Sequence, residues 1–188
     1  MSSRKLIVAV AGMPGSGKSV VKTVGLQNGY SVVVMGDEVR EEARRRKVEP
    51  TPENIGKIML ELRQQEGEAT IAKRCISKIE SASNAKVVVD GIRSLSEVEE
   101  FRSRFVKVAL VAVCCSPETR FQRLYNRRRS DDPKDWTLFH ERDQRELSVG
   151  LGNAIAMAEH ILINEESLDA AKNKAGCLLR EIERKWTR

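Results

Sequence analysis

The chain has 188 residues, a length that predicts a single domain over residues 1–188 with room for a full α/β core. Lys and Arg number 33 against 27 Asp and Glu, which gives a net charge of +6. No run of 18 apolar residues occurs, and residues 1–4 lead directly into an apolar segment, so we expect neither a membrane span nor a signal peptide. Four cysteines without a C-x-x-C pair favour reduced thiols over a structural zinc site, and we expect a cytoplasmic protein.

Strand and helix patterns alternate along the chain. Apolar, β-rich segments predict strands at residues 5–11, 31–35, 85–91, 105–113 and 161–164. Helices are predicted after each strand, with N-caps at Asp37, Thr51, Ser94 or Ser96, Ser116 and Ser167. The segment 55–79 is predicted as two helices interrupted near Gly67, and residues 133–158 as one long helix. This alternation predicts an α/β fold, a five-stranded parallel sheet between two layers of helices.

A glycine-rich loop lies between the first strand and the first helix. Residues 12–19 read GMPGSGKS and fit the phosphate-binding pattern G-x-x-x-x-G-K-[ST] at every fixed position. The glycines let the backbone direct N–H groups at an anion, Lys18 can reach the β- and γ-phosphates, and Ser19 can ligate Mg²⁺. The residues predicted to bind ATP are Gly12, Met13, Pro14, Gly15, Ser16, Gly17, Lys18, Ser19 and Val20.

Charged residues follow two other predicted strands. Asp90 ends the third strand, where an acid can hold Mg²⁺ opposite the phosphate loop; the alternative is a capping or buried structural aspartate. Arg93 follows it, and Asp37 and Arg40 start the helix after the second strand. Because ligands bind beyond the carboxyl ends of parallel strands, Arg40 and Arg93 could clamp one phosphate, unless they only form surface ion pairs.

An arginine cluster occupies residues 120–145. Arg120, Arg123 and Arg127 lie on one side of a predicted helix, Arg128 and Arg129 precede Asp131 and Asp132, and Arg142 and Arg145 follow on the next helix. Such a segment could supply cations to a transferring phosphoryl group and exclude water; the alternative is a solvated, charged helix pair.

Together these motifs resemble the nucleoside monophosphate kinases, including adenylate kinase. The resemblance is carried by the phosphate loop, Gly36-Asp37-x-x-Arg40, Asp90-Gly91-Ile92-Arg93 and the arginine-rich segment. The segment around residues 158–168 resembles dephospho-CoA kinases, and the whole chain resembles archaeal proteins described as adenylate-kinase-related or dephospho-CoA-kinase-like. The sequence departs from the D-G-x-P-R pattern by lacking the proline, and Glu97 is the nearest match to the glutamine that reads adenine.

The resemblance implies a P-loop NTPase fold with an acceptor-binding helical segment at about residues 37–82 and a short lid at about 120–145. It implies that Arg40 and Arg93 grip the acceptor phosphate. It also assigns Arg123, Arg129 and Arg142, with Arg127 and Arg145, to the ATP phosphates and the transferred group. Arg142 is additionally expected to touch the acceptor, and Lys18, Asp90, Arg123 and Arg129 are the predicted catalytic residues.

These observations predict Mg²⁺- and ATP-dependent phosphoryl transfer to a small nucleotide-like acceptor, an AMP-like monophosphate first of all. One alternative is transfer to a ribose hydroxyl, as in dephospho-CoA, with Asp37 as general base. Another is an ATPase or switch acting on RNA or a ribonucleoprotein, which the basic balance permits although no RNA-binding signature is present. A non-catalytic nucleotide sensor is the weakest of the alternatives.

Overall fold

A computed structural model describes residues 3–128 and 132–186. The described residues form five strands, namely β1 (Ser3–Ala11), β2 (Ser31–Val34), β3 (Lys86–Ile92), β4 (Phe105–Cys114) and β5 (His160–Ile163). They also form nine helices, which are α1 (Ser19–Gln27), α2 (Met35–Arg45), α3 (Pro52–Glu66), α4 (Thr70–Ser81), α5 (Leu95–Arg104), α6 (Pro117–Arg127), α7 (Trp136–Ser148), α8 (Leu151–Ala156) and α9 (Leu168–Trp186).

All five strands form one parallel sheet in the order β2-β3-β1-β4-β5. Neighbouring residues of β1 face opposite sides, because successive side chains of a strand alternate across the sheet. Ile7 and Ala9 pack beneath α2, α3, α4, α5 and α8, whereas Val8 and Val10 pack against α1 and α9. The central strands are therefore buried on both faces, and the predicted α/β fold with a five-stranded parallel sheet is confirmed.

Local sequence signals fix several helix starts. The Thr51 hydroxyl accepts the Asn54 N–H at the start of α3, and Ser94 forms a capping box with Glu97 at the start of α5. Ser116 and Ser167 cap α6 and α9 in the same way. The predicted caps at these positions and the interruption near Gly67 are confirmed.

Two predicted helix features were wrong. Asp37 does not cap α2, because the helix begins at Met35, whose side chain is buried in the core, and Asp37 lies in the first turn. The helix predicted over residues 133–158 is two helices, α7 and α8, separated at Gly150. Gly150 has φ +103 and lies against Ser94, a left-handed backbone conformation that ends the first helix.

The carboxyl ends of β1, β3 and β4 meet at one edge of the sheet, next to the phosphate loop and helices α6 and α7. Helices α2, α3 and α4 cover most of the segment predicted to bind the acceptor, and α6 and α7 cover most of the predicted lid. Arg129 and Asp131 lie outside the described residues. None of the helices in the described ranges is both long and apolar enough to cross a bilayer.

Candidate active site

The phosphate loop connects β1 directly to α1. Three of its glycines have positive φ, +155 at Gly12, +82 at Gly15 and +88 at Gly17. A Cβ atom at Gly17 would overlap the side-chain amide of Asn164, and one at Gly15 would lie 2.7 Å from the Arg120 carbonyl oxygen. Glycine is therefore required at these two positions both by backbone conformation and by space.

Lys18 folds back over the loop that precedes it. Its ammonium group donates hydrogen bonds to the carbonyl oxygens of Gly12 at 2.6 Å and Met13 at 3.2 Å. Burial lowers the pKa of Lys18 to about 8, although the carboxylates of Asp90 and Glu146 partly oppose the shift. The hydrogen bonds hold the ammonium group near the N-terminal end of α1. The ammonium and the helix dipole both favour binding of an anion there.

Two side chains from distant parts of the chain hold the loop. The amide of Asn164, which follows β5, donates to the Ser16 carbonyl oxygen at 2.8 Å. The guanidinium of Arg120 donates to the Pro14 carbonyl oxygen at 3.1 Å and forms a bidentate pair with Asp143 at 2.8 and 2.6 Å. Arg120 is buried and is not one of the arginines that face the cavity. Its contacts instead connect the phosphate loop to helices α6 and α7.

A cavity of about 210 Å³ lies beside Lys18 and the phosphate loop. Four arginines from four separate places in the fold line it, Arg40 of α2, Arg93 after β3, Arg127 of α6 and Arg142 of α7. The carboxylate of Glu146 of α7 also lines the cavity. The structure therefore brings the three arginines predicted to bind the acceptor, Arg40, Arg93 and Arg142, into one space with Lys18.

Each cavity arginine lies next to a carboxylate. Arg40 pairs with Asp37 at 2.6 Å, and both side chains are more than half exposed. Arg93 pairs with Glu146 at 2.8 Å. The carboxylate of Asp132 lies between the lid helices α6 and α7, 2.9 Å from Arg127 Nε and 3.7 Å from Arg142 Nη1. Coulomb attraction thus holds the cationic side chains in place around the cavity.

The backbone of Arg93 is positioned by a buried carboxylate. Glu97 accepts hydrogen bonds from the backbone N–H groups of Arg93 at 2.7 Å and Ser94 at 3.3 Å, and its other oxygen pairs with Arg63. Burial raises the pKa of Glu97, against the opposing effect of Arg63. The resemblance places Glu97 near a base-reading position, but these contacts use its carboxylate to hold the loop that carries Arg93.

Asp90 lies near the carboxyl end of β3, two residues before the strand ends at Ile92, and is buried. Its Oδ2 pairs with Lys22 Nζ at 2.8 Å, while its Oδ1 is buried without a hydrogen-bond partner among the described residues. Ser19, the first residue of α1, is exposed. A carboxylate oxygen without a partner next to a hydroxyl-bearing phosphate loop suits a hard divalent cation or its bound water.

Arg123 lies apart from the cavity. Its guanidinium donates to Cys115 Sγ at 3.3 Å and lies 3.6 Å from where a Cβ of Gly17 would be. It therefore faces the phosphate loop from the β4 side, whereas Arg40, Arg93 and Arg142 face it across the cavity. Arg129, the other arginine predicted to be catalytic, lies outside the described residues.

Three residues of the site, Lys22, Asp143 and Glu146, were not predicted from the sequence. Helical spacing could have suggested two of them, because Lys22 follows Lys18 by four residues and Glu146 follows Arg142 by four, which puts each pair on one helix face. Asp143 had no such signal, since its partner Arg120 is 23 residues away on another helix.

Fold and phosphate loop together define a P-loop nucleotide-binding domain of the kinase-like type. A sequence model of the family described as "AAA domain" matches residues 11–137. Solved structures with a similar fold include a gluconokinase from Sinorhizobium meliloti, with a TM-score of 0.59, 18% identity, and coverage of 100% of this chain and 98% of that one. A shikimate kinase from Acinetobacter baumannii in complex with shikimate gives a TM-score of 0.59 and 17% identity, covering 97% and 96%.

The chain belongs to the UPF0200 family. A UPF0200 protein of Hyperthermus butylicus is 48% identical over 180 residues, which cover 96% of each chain. A second, from Thermococcus sibiricus, is 43% identical and covers 90% of this chain and 91% of the relative.

Proposed function

We propose that the protein transfers the γ-phosphoryl group of ATP to the phosphate of a nucleotide-like acceptor, an AMP-like monophosphate first of all. The observation that carries this proposal is the meeting of Arg40, Arg93 and Arg142 with Lys18 in one cavity next to the phosphate loop. Guanidinium groups bind phosphate through paired N–H donors, and three of them from separate elements can orient an acceptor for in-line attack.

Catalysis of this reaction is mainly positioning and charge stabilisation. The loop N–H groups and Lys18 would hold the β- and γ-phosphates, with Arg123 and Arg129 adding positive charge on the donor side. No general base is required when the attacking group is already an ionised phosphate. Fixed cations around the cavity would stabilise the charge on the transferring group without reorganisation during the reaction.

Ser19 and Asp90 are the residues that would hold Mg²⁺. The buried Asp90 oxygen without a partner among the described residues is the observation that favours this assignment. When bound, Mg²⁺ neutralises part of the charge on the donor phosphates.

A second candidate is transfer to a hydroxyl group, with Asp37 as general base. The structurally similar gluconokinase and shikimate kinase are named for small-molecule acceptors. Asp37 follows β2 and pairs with Arg40, so a carboxylate that could accept a hydroxyl proton lies beside a cavity arginine. A switch acting on RNA is a weaker candidate, because several arginines of this basic chain face the cavity or are buried in ion pairs.

The test measures ADP release from ATP and Mg²⁺, alone and with AMP, other nucleoside monophosphates and dephospho-CoA. We expect acceptor-dependent release with AMP that is lost in Lys18→Ala and strongly reduced in Arg40→Ala. Arg44→Ala, one turn further along α2 and exposed, is the matched control and should keep its activity. ADP release that depends on dephospho-CoA but on no monophosphate would favour the hydroxyl acceptor. ADP release that depends on none of the acceptors but increases with RNA would refute the proposed kinase activity.

A further inference from the structure

The carboxylate of Glu146 occupies the part of the cavity where an acceptor anion is expected. Its Oε2 accepts a hydrogen bond from Arg93 Nε at 2.8 Å, and its Oε1 lies 3.5 Å from Arg93 Nη2. The carboxylate thus lies along one edge of the guanidinium, as a bound phosphate would. The side chain of Glu146 is 19% exposed and that of Arg93 31% exposed, so the pair is partly shielded from solvent.

The surroundings of Glu146 keep it ionised. Burial alone would raise the pKa of Glu146, but the charges of Arg93, Lys18 and Arg142 outweigh burial and hold the pKa below its usual value. Glu146 in turn raises the pKa of Arg93. An ionised carboxylate therefore lies among the same cations that the acceptor phosphate would need.

We propose that Glu146 is an acceptor-discriminating residue, whose carboxylate competes with the acceptor for Arg93, so that only a dianionic phosphate displaces it. This inference rests on the proposed function and names the charge state of its acceptor. A phosphate monoester carries about −1.5 to −2 charges at pH 7 and offers three acceptor oxygens. A carboxylate on the acceptor offers Arg93 no more than Glu146 does, and a hydroxyl offers less, so neither gains by the exchange.

The displaced side chain keeps a cationic neighbour. Arg142 lies one turn earlier on α7, at the i, i+4 spacing that brings two side chains together on a helix surface. Arg40 differs from Arg93 in this respect, because its partner Asp37 comes from the same helix and both side chains are largely solvated. Exposed pairs of that kind are weak, so of Arg40 and Arg93 it is Arg93 at which internal competition controls binding.

The test compares AMP, inorganic phosphate and adenosine binding by calorimetry in the full-length wild type and in Glu146→Gln. The amide keeps the size of the side chain but removes its charge. We expect Glu146→Gln to bind AMP and inorganic phosphate roughly tenfold more tightly than the wild type. This factor corresponds to a wild type in which Glu146 occupies Arg93 in about nine-tenths of the molecules. Adenosine, which has no phosphate, should bind with unchanged affinity, whereas a general structural change would alter all three.

Glu141→Gln is the matched control, because Glu141 is exposed on the same helix and loses the same charge. It should leave the affinity for AMP unchanged. Glu146→Asp retains the charge and should bind AMP less tightly than Glu146→Gln. If wild type phosphorylates AMP while Glu146→Gln binds AMP no more tightly, the inference is wrong and the proposed function stands. If neither the wild type nor Glu146→Gln binds or phosphorylates AMP, both the inference and the proposed function are wrong.

Discussion

The side-chain amide of Asn164 donates a hydrogen bond to the Ser16 carbonyl oxygen across 2.8 Å and connects residues 148 positions apart in the chain. Asn164 is 4% exposed, so no bulk water can replace this donor. The bond fixes the orientation of the peptide between Ser16 and Gly17, whose N–H belongs to the phosphate loop. The geometry of a local motif thus depends on a residue at the far edge of the sheet.

Replacing Asn164 with Ala should therefore affect both stability and ATP binding. The buried Ser16 carbonyl would lose its partner, which costs about 1–3 kcal/mol of unfolding free energy. We also expect weaker ATP binding, because the loop is no longer held in one conformation. Urea denaturation and ATP titration measure the two effects. Asn153→Ala, an exposed asparagine on α8, should change neither, and an unaltered ATP affinity in Asn164→Ala would contradict the prediction.

Substitutions at Gly17 and Gly29 distinguish two reasons for a glycine, namely backbone strain and lack of space for a side chain. Both have positive φ, +88 and +76, but a Cβ at Gly17 would overlap Asn164, whereas a Cβ at Gly29 meets nothing within 4 Å. Gly29→Ala should cost about 1–2 kcal/mol of stability and leave ATP binding intact. Gly17→Ala should in addition lose most ATP affinity in the same titration. Equal ATP affinities in the two variants would show that the close approach of Asn164 does not matter.

The buried pair between Arg120 and Asp143 should be costly to break. Asp143→Ala leaves a buried guanidinium uncompensated, and such changes cost about 3–5 kcal/mol of unfolding free energy. The double variant Arg120→Met/Asp143→Leu should be more stable than Asp143→Ala, because it removes both charges. Chemical denaturation measures all three proteins. Glu181→Ala, which breaks the exposed pair with Lys185, is the control and should have little effect; a similarly small effect of Asp143→Ala would refute the prediction.

The lowered pKa of Lys18 predicts a pH-dependent affinity for ATP. With a pKa of about 8 in the free protein, Lys18 loses its proton as the pH rises through 8, and the phosphates then lose a cationic partner. ATP binding should weaken above pH 8. Because bound phosphates favour the ammonium form, binding at pH 8 should take up about half a proton.

Calorimetry in buffers of different ionisation enthalpy measures this uptake directly. It should fall towards zero as the pH is lowered to 7, where Lys18 is already mostly protonated. The same shift has a consequence for stability, since the unfolded chain keeps the lysine proton up to a higher pH than the folded chain. Lys18 therefore contributes to a rise in stability between about pH 8 and 10.5. No proton uptake at pH 8 would show that Lys18 keeps its usual pKa.

Several features of the fold could be read from local patterns. The phosphate loop, the flanking strand and helix, and the caps at Thr51 and Ser94 depend on residues within a few positions of one another. Hydrophobic runs at the strands were sufficient to predict a parallel sheet, because strands buried on both faces lack alternation. The helix break at Gly150 was missed, because its left-handed backbone lies against Ser94, which is distant in sequence.

The sequence by itself determined that a glycine loop of the phosphate-binding pattern follows a buried parallel strand. Only the tertiary structure decided which charged residues pair with each other. Pairs such as Arg93 with Glu146 and Arg120 with Asp143 join separate elements, and no regular spacing in the sequence indicates them. An arginine motif predicts a cation but not its partner. The partner depends on how helices α6 and α7 pack over the sheet edge, and that packing determines which cations an acceptor can reach.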